Sequence, residues 1–177
     1  MSQPDFSRMR LYTARMAVSP LRVQLFLAEK GIQIPETVID IMKAEHRGEA
    51  YRRIAPNMRI PALALEDGTV IRESIAICRY VEALAPEPAL FGVGALQQAQ
   101  VEQWQRSMEL ELMLPMAMAF RHAHPMAKAI QQQVPEYGAQ SRELLLPHAP
   151  AVCLDHFQQL DVWLASRLAG RSYGEIV

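Results

Sequence analysis

The sequence predicts two domains of different class: an α/β domain over residues 1–85 and an all-α domain over residues 92–177, joined by a linker at residues 86–91. Up to residue 85, short segments rich in β-branched residues alternate with segments of helical apolar spacing, in the order β-α-β-α-β-β-α. Pro86-Glu87-Pro88 interrupts this pattern and marks the linker. Every apolar pattern after the linker has helical spacing, which indicates an all-helical second domain.

The first two predicted elements are a strand over Met9–Thr13 and a helix that ends at Lys30-Gly31. Ser19 is the predicted N-cap of this helix, and Pro20 its first helical residue. Glycine after a basic residue is a typical helix stop. An apolar face of the helix is predicted from Leu21, Leu25 and Ala28, broadened by Val23 and Phe26.

The rest of the α/β domain follows from three patterns. A β-branched run predicts a strand over Glu36–Ile41, and Arg47–Ile54 reads as a short helix. The Asp67-Gly68 turn predicts a hairpin between strands Ala62–Leu65 and Thr69–Ile71. A closing helix over Glu73–Ala85 has Ile77, Val81 and Leu84 on one face. Because a strand–helix–strand unit crosses over right-handed, the first two strands should be parallel, and the whole order is that of a thioredoxin-like fold.

The predicted all-α domain begins with a long helix. Val101, Trp104, Met108 and Leu112 form its apolar stripe from Gly94 to His122, with a kink expected at Pro115. Four prolines break residues 125–150 into short helix and loop. A final amphipathic helix, ended by Gly170, is predicted from Leu154, Phe157, Leu160, Leu164 and Leu168.

Composition excludes several classes of function. The net charge is −1 and no block of lysine or arginine occurs, so we expect no nucleic-acid partner. No apolar run approaches the length of a membrane span, and the amino-terminal residues lack the pattern of a signal peptide. Cys78 and Cys153 stand alone without metal-ligand spacing, which favours a reducing, cytoplasmic location and no metal site. Cys78 falls in an apolar helix pattern and is expected to be a small buried residue.

The strongest functional pattern is a proline corner next to a helix start. Arg59-Ile60-Pro61 leads into the hairpin, and the hairpin is followed by Glu73-Ser74 at the start of a helix. A helix N-terminus presents unpaired N–H groups and roughly half a positive charge, so it favours a carboxylate. A peptide-like ligand could therefore pair its main chain with Ile60 and place its acid on Ser74.

Residues 59–82, RIPALALEDGTVIRESIAICRYVE, together with Phe26–Gly31, closely resemble the cytosolic glutathione S-transferases. The resemblance implies that Glu73 and Ser74 hold the γ-glutamyl end of glutathione. It further implies that the backbone of Ile60 pairs with the cysteinyl part, next to a cis Pro61. His46 and Arg59 match positions that approach the glycyl carboxylate in related classes. For Glu73 and Ser74 the alternative is a helix start that only caps, and for His46 and Arg59 it is solvated surface.

The resemblance is weaker at the catalytic position. The family lowers the pKa of the glutathione thiol through a hydrogen bond to the thiolate, which is the nucleophile. Ala17 and Leu11 occupy the usual donor positions here. The candidates are Ser19, Tyr12 and Thr13, with Arg15 as a further possibility. Capping of the helix would also explain Ser19. Tyr12 is one residue away from the family's tyrosine position, and such a step on a strand turns the side chain to the opposite face. Since no cysteine is near, the pattern argues against a glutaredoxin-like thiol mechanism.

The function implied is a glutathione S-transferase that uses glutathione as co-substrate, needs no metal, and acts on an apolar electrophile as a homodimer. In the family the helix after the linker walls the pocket for the hydrophobic co-substrate, so the resemblance implies that Met108 and Leu112 line it, with Met16 in the loop across from them. Flexible thioethers also suit varied apolar ligands. Core packing is the alternative for most methionines. Two other functions stay open: a non-catalytic binding or interaction protein of this fold, and a glutathione-dependent peroxidase, disulfide reductase or isomerase.

The chain stops at residues 174–177, where the family normally continues into a helix opened by a capping box. The resemblance therefore implies a truncated sequence or a shortened helical domain. Either would expose apolar surface in the second domain.

Overall fold

The computed structural model of the chain describes residues 4–15, residues 17–117 and Gln158. Contacts between Cα atoms divide the chain into two compact units, Met1–Phe91 and Gly92–Val177, and each is described by itself. No helix in these described ranges is both long and apolar enough to cross a membrane. The region 125–150, the end of the long helix beyond Ala117 and, apart from the helical Gln158, the predicted helix over residues 154–168 lie outside the described residues.

The first unit contains a four-stranded sheet. Its strands are β1 (Arg10–Thr13), β2 (Glu36–Val38), β3 (Ala62–Ala64) and β4 (Val70–Arg72), in the spatial order β2-β1-β3-β4. β1 and β2 are parallel, as the right-handed crossover predicts, whereas β3 is antiparallel to both β1 and β4. The β3–β4 hairpin turns at Gly68, whose φ of 85° suits a residue without a Cβ.

Helices cover both faces of the sheet. They are α1 (Val18–Glu29), α2 (Glu49–Ile54) and α3 (Ser74–Leu84). On one face, α1 and α3 pack in a core cluster that includes Leu11, Val23, Leu63, Ile77 and Val81. On the other face, a smaller cluster of Tyr51, Ala55 and Ala62 contacts Tyr12 and Ile60. This arrangement confirms the thioredoxin-like fold of the first unit, and Cys78 is buried in its core as predicted.

The N-cap predicted for α1 is wrong. The helix starts at Val18, so Ser19 and Pro20 are its second and third residues. Its N-cap is Ala17, which has no side chain that could cap the helix. The helix starts before the Ser-Pro pair because the N–H of Leu21 bonds to the carbonyl of Ala17 at 3.1 Å. Proline is accommodated there since first-turn N–H groups have no helical acceptor.

The apolar face predicted for α1 also differs from the face that is buried. Pro20, Val23 and Leu27 are the buried residues, while Leu21 and Leu25 are 51% and 58% exposed. Both stripes have helical spacing, so apolar periodicity alone does not distinguish them. The position of the sheet decides between them.

The end of α1 is formed by Gly31, as predicted. Its φ is 64°, its N–H bonds to the carbonyl of Ala28 at 3.0 Å, and the N–H of Ile32 bonds to Leu27 at 2.9 Å. This pair of bonds is a Schellman motif, which satisfies carbonyls that the helix end would leave unpaired.

Two elements are shorter than predicted. β2 ends at Val38, because the carboxylate of Asp40 accepts hydrogen bonds from the N–H groups of Met42 and Lys43 and turns the chain. The predicted helix over Arg47–Ile54 divides into a 3₁₀ turn, Glu45–Arg47, and α2, with the extended Gly48 between them.

The second unit begins with α4 (Gly94–Ser107), which continues directly into a π-helical segment, Met108–Met113. The sequence predicts a kink at Pro115, and the departure from α-helical geometry lies in the turn before it. Proline cannot donate to the carbonyl four residues earlier, and its ring crowds that carbonyl, so a widened turn relieves the conflict.

The end of the first unit is attached to α1 by Lys30, whose side chain is 0% exposed. Its ammonium donates to the carbonyls of Ala85 and Pro88 at 2.7 Å each, and it lies 2.6 Å from a carboxylate oxygen of Glu82. The other oxygen of Glu82 accepts the N–H of Phe91 at 3.1 Å. One buried cation therefore joins α1, α3 and the segment that follows α3.

Candidate active site

The start of α3 forms one side of the candidate site. Ser74, 6% exposed, is the first residue of the helix, and Glu73 precedes it with a φ of 70° and no side-chain cap. Such a φ is strained for a residue with a Cβ and is often found at functional positions. The hydroxyl oxygen of Ser74 accepts a hydrogen bond from Nη1 of Arg22 on α1 at 3.0 Å. The first N–H groups of α3 have no capping side chain within the described part of the chain, and such groups can bind an anion.

The proline corner forms the adjoining edge. The Ile60–Pro61 peptide bond is cis, as the resemblance implies. The hydroxyl of Tyr51 donates to the carbonyl of Arg59 at 2.8 Å, and Ala62 pairs with neighbouring strands on both sides. Between these anchored residues, the backbone N–H and carbonyl of Ile60 make no hydrogen bond within the described residues. They remain available to pair with an extended ligand.

Strand register brings the corner and the helix start together. Ala62 is opposite Tyr12 on β1 and opposite Arg72 on β4. Continued by two residues, these registers put Ile60 between the end of β1 and Ser74. The parallel partner β2 ends at the same edge and leads into the turn that contains His46. The predicted ligand-binding segments therefore meet at one edge of the sheet.

His46 and Arg59 have different environments. His46 lies in the 3₁₀ turn, where its Nε2 accepts a hydrogen bond from Arg47 Nε at 3.4 Å. Burial lowers the pKa of His46, and the neighbouring charge of Arg47 lowers it further. The Nδ1 atom is buried and has no partner among the described residues. The side chain of Arg59 is exposed.

Two of the three catalytic candidates, Tyr12 and Thr13, have side chains that pack within the first unit. The ring of Tyr12 packs edge-on against Tyr51, with centroids 5.9 Å apart, on the α2 face of the sheet. Thr13 faces the opposite side, is 1% exposed, and its hydroxyl has no partner among the described residues. Because neighbouring residues of a strand face opposite sides of the sheet, Tyr12 lies on the face opposite α1. Thr13 lies on the face of α1 but is buried there.

Ser19 is the candidate at an accessible helix start. As the second residue of α1 it is partly exposed, and its hydroxyl bonds to no described residue. Because the N-cap is Ala17, no side chain occupies the N–H groups of Val18 and Ser19. Pro20 has no N–H to offer. At the positive end of α1, two backbone donors and one hydroxyl therefore have no partner among the residues that the structure describes.

The residues predicted for the apolar co-substrate are only partly described. Met16 lies outside the described residues. Met108 and Leu112 are partly buried on the π-helical segment of the second unit. Within the described ranges, no cluster of three or more His, Cys, Asp or Glu side chains could hold a metal ion.

Sequence reasoning missed Arg22 and Tyr51, both of which support the predicted ligand contacts. Arg22 bonds to Ser74, and Tyr51 fixes the carbonyl beside Ile60. A signal for Arg22 was present, because it is the only charged residue from Val18 to Ala28 and lies between the apolar Leu21 and Val23. A polar residue isolated in this way often has a specific partner.

Comparison with known proteins agrees with this geometry. Residues 18–84 match the model of the glutathione S-transferase N-terminal domain. The solved structure of a glutathione S-transferase of class Gtt2 from Vibrio parahaemolyticus is 31% identical, with a TM-score of 0.67, over 88% of this chain and 68% of that one. The chain belongs to the cytosolic glutathione S-transferase family.

Curated relatives match over different lengths. Glutathione S-transferase 2 of Saccharomyces cerevisiae is 29% identical over 96% of this chain and 78% of its own length. Maleylacetoacetate isomerase of Pseudomonas aeruginosa is 35% identical over 52% of this chain and 44% of its own length. Against the isomerase, the chain spans less than half of the relative's length.

Proposed function

We propose that this protein is a glutathione transferase, which binds reduced glutathione at the corner between Ile60 and Ser74 and adds its thiolate to an apolar electrophile. The observation that supports it most directly is the unpaired backbone of Ile60 next to the uncapped start of α3. An extended γ-glutamyl tripeptide needs both features, a strand edge for its main chain and donors for its α-carboxylate. The names of the relatives agree with this activity.

Each end of glutathione has a proposed partner. The γ-glutamyl carboxylate would accept hydrogen bonds from the Ser74 hydroxyl and the first N–H groups of α3, with Glu73 facing the ammonium group. The cysteinyl backbone would pair with Ile60 beside Pro61. His46 and Arg59 would approach the glycyl carboxylate. The exposed guanidinium of Arg59 would supply the positive charge, because burial lowers the pKa of His46 and favours its neutral form.

The start of α1 would activate the thiol. A thiolate near Val18 and Ser19 would accept hydrogen bonds from two backbone N–H groups and the Ser19 hydroxyl, none of which has a described partner. Donors of this kind, together with the helix dipole, lower the pKa of a thiol. The thiolate would attack the electrophilic carbon, form the thioether, and expel the leaving group of the electrophile with its bonding electrons. Tyr12 and Thr13 are less suited to this role, because one packs on Tyr51 and the other is enclosed.

The remaining features of the proposal concern the co-substrate and the assembly. Met108 and Leu112 are proposed to contact the apolar electrophile, together with Met16. The protein is proposed to be a cytoplasmic homodimer, in keeping with the buried free thiol of Cys78 and with exposed apolar side chains such as Leu96 and Leu110 in the second unit. No metal is needed for the addition of a thiolate to an electrophile.

The test is the rate of thioether formation from reduced glutathione and an activated aryl halide, compared between the wild type and Ser19→Ala. Removing one preorganised donor should lower kcat by about tenfold or more while the affinity for glutathione stays unchanged. Ser19→Thr keeps the hydroxyl and is the matched control. The apparent pKa of the bound thiol, from the pH dependence of kcat/KM, should rise in the alanine variant.

Other outcomes separate the alternatives. Glutathione binding without conjugation of any electrophile would contradict the transferase proposal and favour a binding protein of this fold. Reduction of hydroperoxides or mixed disulfides in place of conjugation would favour the peroxidase or reductase. Absence of glutathione binding would exclude the transferase, the peroxidase and the reductase, and would leave an interaction protein of this fold.

A further inference from the structure

Arg22 is a charged side chain that the proposed mechanism has not yet used. It projects from α1, is partly buried, and donates from Nη1 to the hydroxyl oxygen of Ser74 at 3.0 Å, across 52 positions of sequence. The guanidinium thus reaches the side chain that stands at the start of α3. Partial burial of a charged guanidinium costs desolvation free energy, which a compensating partner would offset.

No carboxylate of the described residues forms an ion pair with Arg22. Its charge also reaches the next turn of α3. Burial raises the pKa of the Cys78 thiol to about 11, and Arg22 acts in the opposite direction. The start of α3 at Ser74 therefore faces the positive charge of Arg22, which has no counter-ion among the described residues.

The hydrogen bond from Arg22 also determines what the Ser74 hydroxyl can do. A serine oxygen has two acceptor lone pairs and one proton to donate. Since the guanidinium has donors only, its bond occupies a lone pair and leaves the O–H free to donate elsewhere. A carboxylate has acceptors only, and it is the group that an O–H held in this way suits.

We propose that Arg22 is the positioning residue for the γ-glutamyl subsite: it holds the Ser74 hydroxyl as a donor and supplies the positive charge that selects ligands with a carboxylate at that end. The inference rests on the proposed glutathione site. It extends the site to a side chain on α1, so that both walls of the subsite belong to the first unit. Selectivity for the γ-glutamyl carboxylate then depends on Arg22 as well as on Ser74.

The test compares two ligands by calorimetric titration: reduced glutathione, and 4-aminobutyryl-cysteinyl-glycine, which lacks only the γ-glutamyl α-carboxylate. Arg22→Gln should weaken glutathione binding by about tenfold or more, in line with the loss of a charge-assisted hydrogen bond. The affinity for the analogue should stay unchanged. A purely structural role of Arg22 would weaken both ligands equally.

Two further variants serve as controls. Arg22→Lys keeps the positive charge and should bind glutathione more tightly than Arg22→Gln. Arg52→Gln removes an exposed arginine on α2 and should change neither affinity. Thermal unfolding of each variant shows whether it is folded. If Arg22→Gln does not fold, Arg22→Lys is tested with the same two ligands. It should then bind glutathione somewhat more weakly than the wild type does, with an unchanged affinity for the analogue.

The outcomes distinguish this inference from the proposed function. If the wild type binds glutathione and Arg22→Gln binds it equally well, the role of Arg22 is wrong while the glutathione site stands. Equal losses for both ligands would also overturn the role. If the wild type does not bind glutathione, both the site and the role of Arg22 are wrong.

Discussion

His46 illustrates how a local environment changes the protonation of one residue. Burial and the charge of Arg47 lower the pKa of its imidazole below the ordinary value of 6.5. The unfolded chain therefore binds a proton more readily than the folded protein between these two pKa values. Stability from the neutral imidazole is present above pH 6.5 and is lost as the pH falls through the lower, folded pKa.

The prediction for His46 concerns stability below neutral pH. The free energy of unfolding of the wild type and of His46→Gln is measured in urea at about pH 7.5 and about pH 5.5. It should fall by more in the wild type than in His46→Gln when the pH is lowered from the first value to the second. Other groups titrate in both proteins and cancel in the difference. An equal loss in the two proteins would show that the pKa of His46 is not lowered.

Cys78 is a second residue whose chemistry is set by its surroundings. Burial raises the pKa of its thiol to about 11, and the side chain is 1% exposed. In a Cys153→Ser background, where Cys78 is the only thiol, alkylation by iodoacetamide at mildly alkaline pH should be slow in the native protein. In denaturant it should proceed at the rate of a small thiol. Fast modification of the folded protein would contradict the buried position.

At the scale of elements, Gly31 is the residue that ends α1. Its φ of 64° disfavours a Cβ, and no heavy atom lies within 4 Å of where a Cβ would stand. Gly31→Ala should therefore lower the free energy of unfolding by about 1 kcal/mol through backbone strain alone. Gly31→Asn should cost less, because asparagine tolerates this conformation better. Equal effects in chemical denaturation would argue against the left-handed end of α1.

The order of the elements was predictable from sequence, because strand length, turn residues and β-branched runs are local signals. The hairpin at Gly68 and the stop at Gly31 are examples. The start and buried face of α1 were not predictable, since Ser19-Pro20 and Leu21-Leu25 fit local rules that the packing of the sheet overrides. The π-helical segment before Pro115 is a further tertiary feature that periodicity does not indicate.

The predictability of the site divides in the same way. Ile60, Pro61 and Ser74 were predictable because a proline corner and a helix start are each indicated by a few consecutive residues. The bond between Arg22 and Ser74 spans 52 positions, and the sequence contains no local rule that pairs them. Ser19 could be named as a candidate, but its freedom from capping depends on where α1 begins.

At the scale of the whole molecule, Lys30 holds the end of the first unit to α1. Lys30→Met would leave two carbonyls and the Glu82 carboxylate without their cation. We expect the free energy of unfolding to fall by about 2–3 kcal/mol. The double variant Lys30→Met/Glu82→Gln should recover part of this loss, because no uncompensated charge remains.

Lys43→Met is the matched control for Lys30, since the Lys43 side chain is 75% exposed and lies 3.4 Å from Asp40. Its effect on unfolding should be within about 0.5 kcal/mol. Similar losses for the Lys30 and Lys43 variants would mean that the buried ion pair does not stabilise the fold.

The assembly can be tested independently of activity. Light scattering of the purified protein should give twice the chain mass of 20.0 kDa if the proposed homodimer forms. A mass equal to that of one chain at micromolar concentration would contradict the dimer and leave the glutathione site unaffected, because Ile60, Ser74 and Arg22 all belong to one unit.

The central claim is that the corner between Ile60 and Ser74 binds glutathione. A calorimetric titration of the purified protein with reduced glutathione tests it directly, with Ser74→Ala as the variant and the exposed Ser7→Ala as its control. We predict binding that Ser74→Ala weakens by about tenfold or more, the cost of one hydrogen bond to a charged group, and that Ser7→Ala leaves unchanged. No heat of binding at millimolar glutathione, or equal binding by Ser74→Ala, would contradict the account.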